Sequence, residues 1–142
     1  MDEILLEVIG TQRIDLQKDT IELKTVGTLE NTDESYIIRY TEQQESLPSP
    51  IRVKIKISKD ESLVEMTRTG DYSSHLIIEK SKRNLCPYGT QYGDILMGIA
   101  GRSIEADVQV GKGAFTFCYD IDLNGTLASK NEVKIIYRNN QE

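Results

Sequence analysis

Histidine occurs once in these 142 residues and cysteine twice, and no segment sustains a helical period of apolar residues. Each shortage excludes a class of explanation. A thiol nucleophile needs a base beside it, and nothing in the spacing places His75 next to Cys86 or Cys118. No nucleophile, metal or phosphate motif stands out, so no catalytic centre and no cofactor are expected. The longest apolar run is far too short for a membrane-spanning helix. The opening Met1-Asp2-Glu3 is acidic where a secretory signal begins with basic residues, which predicts a cytoplasmic protein. In that reducing compartment Cys86 and Cys118 are expected as free thiols. Seventeen Lys and Arg against 23 Asp and Glu give a net charge of −6, an unsuitable balance for nucleic acid or anionic membrane as partner.

What the chain has in quantity is alternation. Ile51-Arg52-Val53-Lys54-Ile55-Lys56-Ile57 places every apolar side chain on one face and every charge on the other, the pattern of a half-buried antiparallel strand. Similar stretches cover 4–9, 21–29, 36–40, 64–68, 76–78, 95–99, 104–110, 115–123 and 133–137. Between them lie turn signals, including 31–34, a loop over 44–50 with Pro48 and Pro50, Gly111-Lys112-Gly113 and Asn124-Gly125. The passage from Cys86 to Gly93, rich in Gly and Tyr, reads as irregular. About ten short strands joined by local turns predict an all-β single domain over 1–142. A closed or nearly closed antiparallel up-and-down barrel of about 8 to 10 strands removes the exposed edges that an open sheet would leave.

The order of several landmarks is similar to that of the YwiB-like family of uncharacterised bacterial proteins. They are Gly10-Thr11-Gln12, Asp19-Thr20-Ile21-Glu22-Leu23 with Thr25 and Gly27, Arg68-Thr69-Gly70, Tyr88 with Thr90, Tyr92-Gly93, Gly113, and Tyr119-Asp120-Ile121-Asp122-Leu123-Asn124-Gly125 with Ser129 and Asn131. The resemblance spans nearly the whole chain. It implies a calycin-like, lipocalin-related β-barrel and carries no settled activity. Gln91 stands where the family has proline, which implies a looser turn there.

Asp120-x-Asp122-x-Asn124-Gly125 matches the first half of a calcium loop, but the twelfth position is Asn131 where that loop needs a bidentate glutamate. The flanks also alternate as strands. The plainer expectation is two outward carboxylates and a hairpin turn, with no metal. Arg68 has the parity of Val64 and Met66 and so points inward, where a guanidinium needs a partner to offset its desolvation. Tyr36, Tyr40 and Glu42 share an inward parity, and Tyr88 and Tyr92 belong to a passage that could cross the barrel mouth. These six form the candidate site. They make either a polar anchor for a small apolar or amphipathic ligand or a satisfied network that plugs the barrel. Arg52, Lys54 and Lys56 form an outward basic row, Lys80, Lys82 and Arg83 a basic turn, and His75 belongs on the outer face. Gly89, Gly93, Gly98 and Gly101 read as turn and bend glycines. The expected function is non-enzymatic binding of an unknown small molecule inside the barrel. The alternative is a filled barrel that meets a protein partner through its outer surface.

Overall fold

In the computed structural model, which describes residues 2–43 and 48–140, the alternating segments become ten antiparallel strands. They are β1 (Asp2–Ile14), β2 (Gln17–Asn31), β3 (Ser35–Glu42), β4 (Ile51–Ser58), β5 (Leu63–Thr69), β6 (Ser74–Glu79), β7 (Arg83–Thr90), β8 (Gly93–Gln109), β9 (Lys112–Leu123) and β10 (Thr126–Asn139). Each strand pairs with its neighbours in sequence, and β1 also pairs with β10, which closes the barrel. Residues 44–47 of the predicted loop lie outside the described residues.

Alternation in β4 translates directly into burial, with Ile51, Val53, Ile55 and Ile57 buried and Arg52, Lys54 and Lys56 exposed. His75 is likewise exposed on β6. Asn124 and Gly125 take φ of 54° and 88° in the β9–β10 turn, the left-handed pair of a type I′ hairpin. The other glycine hairpin lies one residue earlier than the spacing predicts: the turn is Val110-Gly111, and Gly113 lies within β9.

Two differences from the sequence reading offset each other in the strand count. Residues 95–99 and 104–110 do not form two strands: β8 runs through both as far as Gln109, with a register shift between Gly101 and Ser103. The passage read as irregular contains β7. Its Pro87 is tolerated because of where its nitrogen points. The Gly89 N–H donates to the Ser73 carbonyl at 2.8 Å, and residues two apart on a strand address the same neighbour. Pro87 therefore faces β6, and β7 registers with β6 at one pair alone, Ser74 and Tyr88. A missing N–H costs little there. On the same side the Ile77 N–H donates to Cys86 Sγ at 3.3 Å rather than to a carbonyl.

The weak β6–β7 ladder is compensated at Gly101. The chain between β6 and β7 folds onto β8, with the Ser81 N–H donating to the Gly101 carbonyl at 3.1 Å and the Gly101 N–H to the Lys82 carbonyl at 3.0 Å. The approach is so close that a β-carbon on Gly101 would stand 2.2 Å from the Glu79 carbonyl oxygen.

The interior divides along the barrel axis. At the end that holds the β2–β3, β4–β5 and β8–β9 turns, Ile4, Ile38, Ile55, Ile57, Val64, Ile78 and Phe115 are fully buried. There Phe115 packs between Tyr36 and Tyr137, with ring centroids 5.4 and 5.8 Å away. This end is filled. The opposite end, at the β1–β2, β5–β6, β7–β8 and β9–β10 turns, is open.

Candidate functional site

The open end leads into a cavity of about 520 Å³. Its apolar wall is drawn from around the barrel and includes Val8, Leu23, Met66, Leu76, Met97 and Ile121, all of inward parity. Polar groups collect near the mouth, where Arg68, Glu42, Tyr40, Tyr88 and Tyr119 meet Gln12, Asp19 and Asn131.

Arg68 arrives there because Val53, its cross-strand partner on β4, faces inward beside it, and Tyr40 faces Val53 from β3. Glu42 lies one step nearer the rim. The Arg68 Nη1 donates to Glu42 Oε2 at 2.9 Å, and the two side chains retain 33% and 16% exposure. The pair is half-shielded, neither a surface bridge nor a fully buried one.

Among the described residues, the Tyr40 and Tyr119 hydroxyls form no hydrogen bond, although each residue is only 6% exposed. No fully enclosed side-chain oxygen lacks a partner, so these two hydroxyls reach the open volume of the cavity. Burial pushes both phenols up to about 12. For Tyr40 the Glu42 carboxylate adds to the rise and Arg68 opposes it. For Tyr119 Arg68 opposes the rise and Tyr88 adds to it.

An alkaline titration should reveal these two groups. Unfolded tyrosine titrates near 10, so between pH 10 and 12 the folded chain holds protons that the unfolded chain has released. The stabilisation is complete below pH 10 and is lost as pH rises toward 12. Two pKa units amount to about 3 kcal/mol for each buried phenol. Urea midpoints should therefore fall steeply from pH 10 to 12, and the Tyr40→Phe/Tyr119→Phe double variant should show a shallower fall. Equal slopes for the two proteins would rule this out.

The cavity gathers four of the six predicted site residues, Arg68, Tyr40, Glu42 and Tyr88, and leaves two outside it. Tyr36 has the right parity but the wrong height. Four residues along β3 from Tyr40 is about 13 Å, which places it against Phe115 at the filled end, with the Lys59 ammonium 5.1 Å from its ring centroid. Tyr92 stands on the two-residue turn between β7 and β8 and is 90% exposed. Gln91 shares that turn, which the Thr90 hydroxyl organises by accepting from the Tyr92 N–H at 3.1 Å and donating to the Gly93 carbonyl at 2.6 Å.

Tyr119 and Asp19 were absent from the predicted set. Alternation along β9 already gives Tyr119 an inward face, so the signal existed. Asp19 needed the register of the long β1–β2 hairpin, in which it opposes Gln12.

The carboxylates of the partial calcium loop are taken by arginines. Asp122 accepts from Arg83 Nε and Nη2 at 2.8 and 2.7 Å and from the Gly125 N–H at 3.0 Å. Asp120 accepts from Arg102, with Nε at 2.8 Å. This ties Arg83 of the basic turn to β9.

Residues 6–135 match the family described as a domain of unknown function (DUF1934). Among solved structures, the chain is similar to the crystal structure of the ywiB protein from Bacillus subtilis, with a TM-score of 0.84 and 18% identity over 99% of this chain and 93% of that one. That likeness speaks for the barrel fold. No curated protein matches the sequence.

Proposed function

Given that the chain belongs to the DUF1934 family, we propose that its barrel holds a small apolar or amphipathic molecule in the open-ended cavity and catalyses no reaction on it. The observation that carries this reading is the cavity itself. At about 520 Å³, with an apolar wall and a few polar groups gathered at one end, it falls in the range of small-molecule sites. Binding is favoured over chemistry by the state of the polar groups. Arg68 is engaged with Glu42, and Tyr40 and Tyr119 keep their protons to about pH 12, far from the range in which a general base or acid works at neutral pH. Cys86 and Cys118 are free thiols, which accords with action in the cytoplasm, and no helix among the described residues is long and apolar enough to cross a membrane.

A neutral fluorescent probe such as N-phenyl-1-naphthylamine tests the reading. Saturable enhancement at one site per chain is expected, together with its loss in Leu76→Trp, which fills the cavity from β6. An absence of saturation, or an unchanged response in a folded Leu76→Trp variant, would refute it.

The second reading, interaction with a protein through the outer wall, is favoured by one feature. A groove of about 740 Å³ runs over the outside of the barrel, with Leu5, Val26, Ala114 and Ile136 among its lining.

A further inference from the structure

We infer that the molecule this cavity takes is a cationic amphiphile, an apolar body carrying an ammonium-type head. The inference rests on the cavity reading above and concerns the charge of the occupant.

Among the described residues lining the cavity, Arg68 is the sole cation, against four carboxylates, those of Asp19, Glu22, Glu42 and Glu132. Asp19 and Glu42 share the inward register. Glu22 and Glu132 oppose the outward-facing Ile9 and Thr11 and border the opening. Of the four, Asp19 and Glu42 face the interior, while Glu132 also borders an outer groove that it shares with Arg13, Lys18, Arg102 and Lys130. The one guanidinium is already committed to Glu42. Among the described residues that line the cavity, an anionic head would find no cation without a carboxylate partner.

The hydrogen-bonding inventory points the same way. Glu42 accepts from Arg68 through Oε2, which leaves Oε1 as an acceptor. The hydroxyls of Tyr40 and Tyr119, each on a residue 6% exposed, face the cavity without a partner among the described residues. An ammonium carries donors and no acceptor, and phenol and carboxylate oxygens are what it requires. Tyr40, Tyr88 and Tyr119 also line the cavity, and an aromatic ring attracts a cation that reaches its face. Beneath them, Val8, Leu23, Met66, Leu76 and Met97 suit an alkyl body.

The test compares three probes with the same chain, decylammonium, decanoate and decanol, each below its aggregation threshold at neutral pH, as competitors of the neutral naphthylamine dye. Decylammonium is expected to displace the dye at concentrations at least about tenfold below those of decanoate, with decanol between them, and added salt should narrow the gap. Glu42→Gln frees the Arg68 charge and should raise the affinity for decanoate. Asp19→Asn, at an exposed position, should weaken decylammonium selectively without disturbing the fold. Equal displacement by all three probes, or preference for decanoate by the unaltered protein, would overturn the inference and leave the cavity reading intact. Displacement by none, with no saturable dye binding, would overturn the cavity reading itself.

Discussion

Gly101→Ala is expected to lower the melting temperature by about 10 to 15 °C, the equivalent of roughly 3 to 5 kcal/mol for a chain of this size. The new methyl carbon would stand 2.2 Å from the Glu79 carbonyl oxygen and 2.6 Å from its carbon. Both are backbone atoms, and no rotamer change can move them aside. Relief requires the segment between β6 and β7 to lift off β8, with loss of the Ser81 and Lys82 hydrogen bonds to Gly101. That segment is where the barrel makes good its poorest ladder, so the damage extends beyond one contact. The same substitution at Gly10, where an added carbon meets nothing within 4 Å, should change stability by less than about 1 kcal/mol. Thermal or urea melts of the two variants provide the comparison. A Gly101→Ala midpoint close to that of Gly10→Ala would mean that the two segments are not in contact.

Phe115→Ala should cost about 3 to 5 kcal/mol. The ring is fully buried and is held between Tyr36 and Tyr137, so its removal leaves a void that rigid strands on every side cannot collapse to fill. The urea midpoint should fall with little change in slope, because the surface exposed on unfolding is nearly unchanged. Dye binding in the cavity should persist in the folded fraction, since Phe115 lies at the filled end. A loss below about 1 kcal/mol would show that this end is loosely packed.

Which face each residue takes was legible in the sequence; its height along the barrel was not. Parity places Arg68, Tyr40 and Glu42 inside, and the register across β3, β4 and β5 is what brings Arg68 to Glu42. Tyr36 has the same parity but sits against Phe115 at the filled end, because alternation carries no information about position along the axis. The expected number of strands agrees with the structure because two opposite differences cancel. β7 was obscured by Pro87 and Gly89, residues that disqualify a strand only where its neighbour needs their N–H groups or side chains. β8 was split because the shift after Gly101 interrupts alternation without interrupting the strand. The cavity was illegible for a different reason. Whether a barrel's interior is filled depends on strand number, tilt and side-chain volumes together, and those are properties of the closed sheet as a whole.

Closure through β1 and β10 makes the barrel kinetically uneven. Neighbouring strands elsewhere meet across connections of a few residues, whereas this seam joins Ile4 to Asn139. Bringing such distant parts of the chain together costs about 3 kcal/mol more loop entropy than closing a tight hairpin. The ring is thus assembled from cheap local steps and one expensive one, and that long-range pairing raises the contact order of the whole chain. Once it is made, the Asn140 N–H donating to the Glu3 carbonyl at 3.0 Å leaves the two extremities of the barrel side by side, the arrangement in which a chain can be rejoined end to end and opened at another hairpin.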